Sequence, residues 1–467
     1  MHLNERLDGY VRLVLIVLFG ALPLVVIPLP WLFVTQAKVL FTALLLLIAG
    51  VIWLIARLSD RVIKLPWTSA LLAAFLVPLV YAISSAVHGF QSVSLIGGAV
   101  EGDTLAMVAL GCAFFALTAV AFTTHPGRIL TALRAFLSGS LIVLFVEVAH
   151  FIFPSLVLGG ALAGQTGNLF GSWHEFAMYV ALVGFLSVTL LRTPVAQGIW
   201  KHVAWTLTVL AGAFLIVANY ADVLIALVIA CLLLVGLRAY RARVRGTAIW
   251  RGNAMLSVCA GYVLFVAVFG ALIIGIVPER MRIVQNEVRP SYLGTFAIGQ
   301  QSLAHPLAVL FGAGPNTFTR QWGMYKPQNV NETAFWNVDF PTGAAPVATA
   351  LVTVGILGLL SWLAFMAAVL WGAVRLWFSP TDNPAVPIAL PLGVAVLFLF
   401  AMHIASVPGV TLTLLSFGLA GLMLALLTPT FVTTKHIALE RGGLSHVGFS
   451  LAMFSTLVMI VAAAALM

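Results

Sequence analysis

Long apolar runs broken by short polar segments dominate this chain. Runs of Leu, Val, Ala, Ile and Phe recur at 10–29, 38–57, 67–87, 104–124, 129–153, 173–191, 201–218, 221–237, 254–277, 347–371, 386–406, 409–430 and 447–466. Apolar stretches of about 20 residues match the hydrocarbon thickness of a bilayer. The pattern predicts 12–13 membrane-spanning helices in an all-α polytopic protein. One region departs from it. Residues 278–346 are glycine-rich, aromatic, amide-rich and charged, and they divide nine spans (1–277) from the last four (347–467).

The pair 201–237 needs a decision, because it can be taken for one helix. Thirty-seven residues at 1.5 Å each give roughly 55 Å, too long for a core of about 30 Å. Asn219, Tyr220 and Asp222 sit at its middle, and Lys201 and Arg238 flank its ends. A hairpin turning at 219–222 is predicted, with both basic ends on one side.

Composition agrees with the span pattern: the 467 residues are 62% hydrophobic and only 8% charged, against about 25% charged in soluble chains. The net charge of +9 is not a nucleic-acid signature, because most basic residues lie between apolar runs. Alternating the spans from a cytoplasmic N-terminus places 17 of the 23 Lys and Arg inside, including the loop RAYRARVRGTAIWRGN. That is the positive-inside bias. The first run is longer than a secretory signal and lacks an A-x-A cleavage site, so it reads as a retained helix. Cys112, Cys231 and Cys259 all fall within apolar runs and form no zinc-type cluster.

Five of the six outer basic residues lie in the 278–346 loop, where orientation bias does not account for them. Long loops are commonly functional. A helix over 279–289 would line up Met281, Val284 and Val288, with Arg282 and Arg289 on one adjacent face. A second helix over 291–304 would turn Leu293, Phe296, Ala297 and Leu303 inward and stop at His305–Pro306. Two arginine forks on one face suit a diphosphate; lipid headgroups, or Glu279 and Glu287, are the alternative partners. Gly312, Gly314 and Pro315 make a tight turn whose amides are candidates to face a phosphate. The aromatics of the loop, Trp322 and Trp336 among them, suit sugar rings or the headgroup level. Its amides, Asn316 among them, suit sugar hydroxyls.

Three segments carry a resemblance: GNLFGSWHEFAMYVAL at 167–182, HPLAVLFGAGPNTF at 305–318 and VTVGILGLLSWLAF at 352–365. In that order, with one large late loop, the chain resembles the O-antigen ligase and O-antigen polymerase-like membrane proteins. The resemblance implies a GT-C type fold in a bacterial inner membrane, with the large loop periplasmic. It implies transfer of a glycan from a polyprenyl diphosphate to an acceptor glycan, lipid or protein, without a metal or other cofactor. Arginines of the loop would grip the diphosphate, which here means Arg282 and Arg289, with Arg320 and Lys326 assisting.

Two family features are missing. No histidine stands near Gly343, ahead of GILG, and the turn between the seventh and eighth spans reads ANYAD where the family has an arginine. Asp339 and His174 are the candidates for the missing acid–base role; Asp339 capping a helix or pairing with Lys326 is the plainer reading. Glu101 and Asp103, two apart before the fourth span, raise the alternative of a metal-dependent relative. A lipid or polysaccharide transporter, or a non-catalytic glycan-lipid binding protein of the same fold, are the competing functions. Glu147, His150, His174 and Glu175 are candidates for a polar groove among the spans, with hydrogen-bonded packing the plainer reading of the histidines.

Overall fold

The computed structural model describes residues 3–27, 33–98, 101–153, 155–158, 162, 167–247, 253–276, 282–283, 288–378, 385–431 and 434–438. Its long helices are α1 (Leu3–Ala21), α2 (Val34–Asp60), α3 (Ser69–Val87), α5 (Leu105–Thr123), α6 (Arg128–Ile152), α7 (Trp173–Leu190), α8 (Ile199–Val217), α9 (Ala221–Val244), α10 (Ala254–Ile276), α15 (Gly355–Trp377), α16 (Val386–Ala405) and α17 (Val410–Phe431). Short helices stand between them: α4 (Ser92–Leu95), α11 (Tyr292–Ser302), α12 (Pro306–Phe311), α13 (Phe318–Tyr325) and α14 (Pro346–Thr353). Among the described residues, eleven helices are long and apolar enough to cross a membrane, and α10 adds a further apolar helix. The chain is an all-α, multi-pass membrane protein. The thirteenth apolar run, 447–466, lies outside the described residues.

Hydroxyl residues set several helix starts. Thr68, Thr104, Ser172 and Ser291 each accept a hydrogen bond from the amide three residues on, at 3.0 to 3.2 Å. Such caps satisfy amides that the first turn leaves without an intrahelical partner. The predicted hairpin forms: α8 ends at Val217 and α9 begins at Ala221.

Polar contacts sort the helix ends into two groups. At one end Arg57 binds Asp8 at 2.6 Å, and Arg134 donates to the carbonyls of Pro194 and Val195. Arg238 reaches Thr189 O, and Arg241 reaches Trp377 O at 3.0 Å. A two-stranded antiparallel ladder, β1 (Val62–Pro66) with β2 (Thr434–Ala438), pairs Lys64 with His436 there. At the other end lie two clusters, His174 and Arg289 on Asp222 and Asn316 on Asp103. This division is the one that strict alternation of spans requires.

Packing at the centre uses small residues against rings. A Cβ on Gly111 would stand 2.5 Å from the Phe417 ring, and one on Gly418 would stand 2.6 Å from Phe114. Glycines let α5 and α17 approach closely, which is how apolar helices associate where lipid is as apolar as the protein. Phe365 stacks on Phe417 at 5.2 Å and meets Phe115 edge-on.

The loop region corrects three expectations. The described residues of 279–289, namely Arg282, Ile283, Val288 and Arg289, are not helical. The helix expected over 291–304 forms as α11, yet it is turned. Thr295, Ile298 and Gly299 face inward, while Leu293 is 84% exposed and Phe296 is also exposed. The hydroxyl of Thr295 explains the turn, since it accepts from Ala344 N at 2.9 Å and ties α11 to the approach of α14. Lastly, the expected continuous span 347–371 is broken into α14 and α15 at Val354–Gly355.

That break has a local cause. Gly355 has φ +76° and Gly312 has φ +71°, a region that side chains disfavour. A Cβ on Gly355 would stand 2.5 Å from Gly312 N and Leu310 O. The FGAG and GILG segments thus meet backbone to backbone. Ala313 N donates to Val352 O at 3.1 Å and Gly314 N to Thr353 O at 2.8 Å, capturing carbonyls that end α14.

Candidate functional site

Four elements converge at the end that carries the large loop. His174 stands in the first turn of α7, Asp222 in the first turn of α9, Arg289 in the loop before α11, and Ser406 just after α16. His174 Nε2 donates to Asp222 Oδ2 at 2.8 Å, and the Arg289 guanidinium is 3.5 Å from the same oxygen. Ser406 hydrogen-bonds to Asp222, accepts from Arg289 and lies 3.3 Å from His174 Nε2. Tyr220 packs edge-on against the His174 ring at 4.8 Å. Tyr292, three residues after Arg289, donates to Ile404 O and pins the loop to the end of α16.

Exposure orders these groups. The His174 side chain is 3% exposed, whereas Asp222 and Arg289 are each 30% exposed. The histidine therefore lies behind, and the carboxylate and guanidinium in front. Two charges with shared hydrogen bonds in a partly dry place form a stronger unit than a surface pair.

Below Asp222 a groove of about 350 Å³ runs between α9 and α16. Ile225, Ile229 and Leu233 form one wall, and Leu397, Phe398 and Met402 the other. Its lining is apolar apart from Asp222 at its head. Ile225 and Ile229 are more than half exposed, so the groove opens toward whatever surrounds the helices.

Of the other sequence candidates, few join this cluster. Arg282 donates to Gly275 O at 2.8 Å, folding back on the end of α10. Lys326 donates to Trp336 O, not to Asp339. Asp339 is exposed and forms none of the hydrogen bonds or ion pairs found among the described residues. Arg320 is exposed on α13, and Trp336, in the loop after it, is 58% exposed. Trp322 is instead a core residue: its ring meets Phe340 edge-on at 4.8 Å and its Nε1 donates to Val338 O. With Ile298, Phe318 and Val352 it forms a small apolar core in the loop region, which removes its face from sugar stacking.

The glycine turn does not present a phosphate cradle. The amides of Gly312, Ala313 and Gly314 donate to Ala308, Val352 and Thr353 carbonyls, and Asn316 N donates to Asp103 Oδ2 at 3.1 Å. Asn316, at φ +57°, turns its side-chain amide to Glu101 and Val93 O. Asp103 also accepts from Tyr81 at 2.9 Å, and Trp362 donates to that tyrosine oxygen. Burial pushes the Asp103 carboxyl up to about 6, opposed by hydrogen bonds from Thr353, Tyr81 and Asn316. Glu101 and Asp103 thus hold the turn in place, with protein donors on both Asp103 oxygens and on Glu101 Oε2.

No family model matches the chain, and no curated protein matches it.

Proposed function

We propose that this protein transfers a glycan from a polyprenyl diphosphate to an acceptor hydroxyl, at the membrane face that bears the 278–346 loop. The observation that carries the reading is the placement of Arg289, Asp222 and His174 together at the head of an apolar groove. A lipid diphosphate has the matching form, an anionic head on a long apolar tail. In this reading the tail lies along the α9–α16 groove and Arg289 holds the diphosphate through its fork of donors.

Transfer then needs an acceptor oxygen to attack the anomeric carbon while the bond from that carbon to the diphosphate oxygen breaks. The bonding electrons leave with the diphosphate, where Arg289 stabilises the growing negative charge. The acceptor proton goes to Asp222, the exposed carboxylate, and His174 behind it orients that carboxylate. This assigns to ANYAD a carboxylate in the turn where the family that the sequence resembles has an arginine. The excess of basic residues at the opposite end supports a cytoplasmic position for that end, and so an outer one for the site.

Native mass spectrometry of the gently purified protein tests the proposal without a guess at glycan or acceptor. A co-purifying polyprenyl diphosphate, present in wild type and lost in Arg289→Ala, is expected. Wild type carrying only ordinary phospholipids would remove the donor site and favour a transporter.

A further inference from the structure

Lys38, Glu147 and Glu175 are buried together at the same end of the bundle as His174, and the transfer chemistry above uses none of them. Lys38 and Glu147 have no exposed surface and Glu175 has 3%. Lys38 Nζ donates to Pro23 O and Thr411 Oγ1, each at 3.2 Å, and lies 4.1 Å from the Phe170 ring centroid. Both glutamates act on its charge through space, and Glu175 accepts from the amide of the same Thr411 whose hydroxyl Lys38 meets. Ionisable side chains at such depth are costly and are kept for a function more often than for packing.

Charge counting makes the group unusual. One lysine neutralises one carboxylate, and a second buried carboxylate with no further cation is costly to keep ionised. Lys38 is the charged group that acts on each glutamate. Among the described residues, the remaining neighbours of Glu147 do not supply a second cation. His150, one turn along α6, faces Leu156 O, Ser140 and Tyr179 bond to each other, and α8 packs Phe214 against the rings of α7. Arg289 is engaged with Asp222 and Ser406.

The two carboxylates are not equivalent. Glu175 Oε1 accepts from the amides of Thr411 and Leu412 at 2.9 and 3.3 Å, and its carboxylate packs where a side chain on Gly409 would stand. Amide donors favour the ionised form. Glu147 accepts one amide, from Leu169 at 2.8 Å, through Oε1; its Oε2 meets no donor among the described residues. We propose that Lys38, Glu147 and Glu175 form a buried proton-binding site that holds one exchangeable proton at neutral pH, carried on Glu147 while Lys38 pairs with Glu175. The proton is shared through Lys38: removing either carboxylate leaves the other to pair with the lysine.

Infrared spectroscopy of protein labelled with carboxyl-13C glutamate in lipid vesicles tests this at neutral pH, with no substrate needed. Wild type is expected to show an isotope-shifted carboxylic acid carbonyl band. Glu147→Gln is expected to lose it. Glu175→Gln is expected to lose it as well, because Glu147 then ionises against Lys38, and Lys38→Met is expected to strengthen it. Absence of the band in folded wild type overturns the proposal. So does its survival in Glu175→Gln, which would mean a glutamate protonated without regard to Lys38. Those two measurements decide the matter even if Glu147→Gln does not fold, and neither depends on whether the protein is a transferase.

Discussion

The Arg289 guanidinium lies 3.5 Å from the Asp222 carboxylate, and Asp222 in turn accepts a hydrogen bond from His174 Nε2 at 2.8 Å. The arginine is thereby held near the head of the α9–α16 groove, with its side chain 30% exposed. Hydrogen bonds to charged groups contribute about 1.5–3 kcal/mol each. Arg289→Ala should therefore weaken retention of a lipid diphosphate by roughly ten- to a hundredfold. Arg289→Lys should fall between, keeping the charge and losing the fork. Lipid titration by native mass spectrometry gives both numbers; equal retention in all three proteins would remove Arg289 from the donor site.

The contact of Gly312 with Gly355 predicts stability, not binding. Both have φ near +70°, and non-glycine residues held in such regions cost about 1–3 kcal/mol. Overlap with facing backbone adds to that. Gly355→Ala and Gly312→Ala should each lower the apparent melting temperature clearly in detergent. Gly323→Ala should not, since a Cβ there meets nothing within 4 Å. Equal melting of all three variants would mean that the two segments separate at little cost.

These particulars show what a linear reading reaches. The spans were legible because burial in lipid imposes one composition over about 20 residues, and the turn at 219–222 was legible because three polar residues interrupt it. His174 and Arg289 could be singled out as polar groups in unusual places. Their meeting could not, since 48 residues separate His174 from Asp222 and 117 separate Arg289 from Ser406. Asp222 in particular read as a turn residue, because nothing local distinguishes a turn aspartate from a site aspartate. The break at Gly355 was hidden by hydropathy, which averages across one residue of odd backbone. The face of α11 was misread because a threonine, not a leucine, makes the tertiary contact.

Trp322 and Trp336 separate core from surface within the loop region. Trp322 is 3% exposed against Phe340, with its Nε1 bonded to Val338 O. Truncating a buried aromatic costs about 3–5 kcal/mol, so Trp322→Ala should open this small core to limited proteolysis between α13 and α14. Trp336→Ala should leave the proteolysis pattern unchanged, because its ring is 58% exposed. If Trp336→Ala weakens glycan binding at unaltered proteolytic resistance, that ring is a contact for sugar or headgroup. Unaltered binding would leave it an ordinary exposed aromatic.

The last prediction concerns Asp103, which fastens the 312–316 turn to the segment before α5. Burial raises its carboxyl from 3.8 to about 6, so the folded protein holds this proton more tightly than the unfolded chain does. For a raised group the stabilising contribution is complete below the unfolded value and is lost as pH rises through the folded one. Relative to Asp103→Asn, wild type should therefore lose stability as pH climbs from 3.8 to about 6, and the two should run parallel above that window. The asparagine still offers Tyr81 an acceptor but sets an N–H₂ against the Asn316 amide, which shifts its whole curve down without giving it a slope. Apparent melting temperatures of both proteins across this range measure the difference directly. A constant offset between the curves would show that Asp103 does not titrate there. An offset that changes in the opposite direction would mean that its hydrogen bonds outweigh its burial.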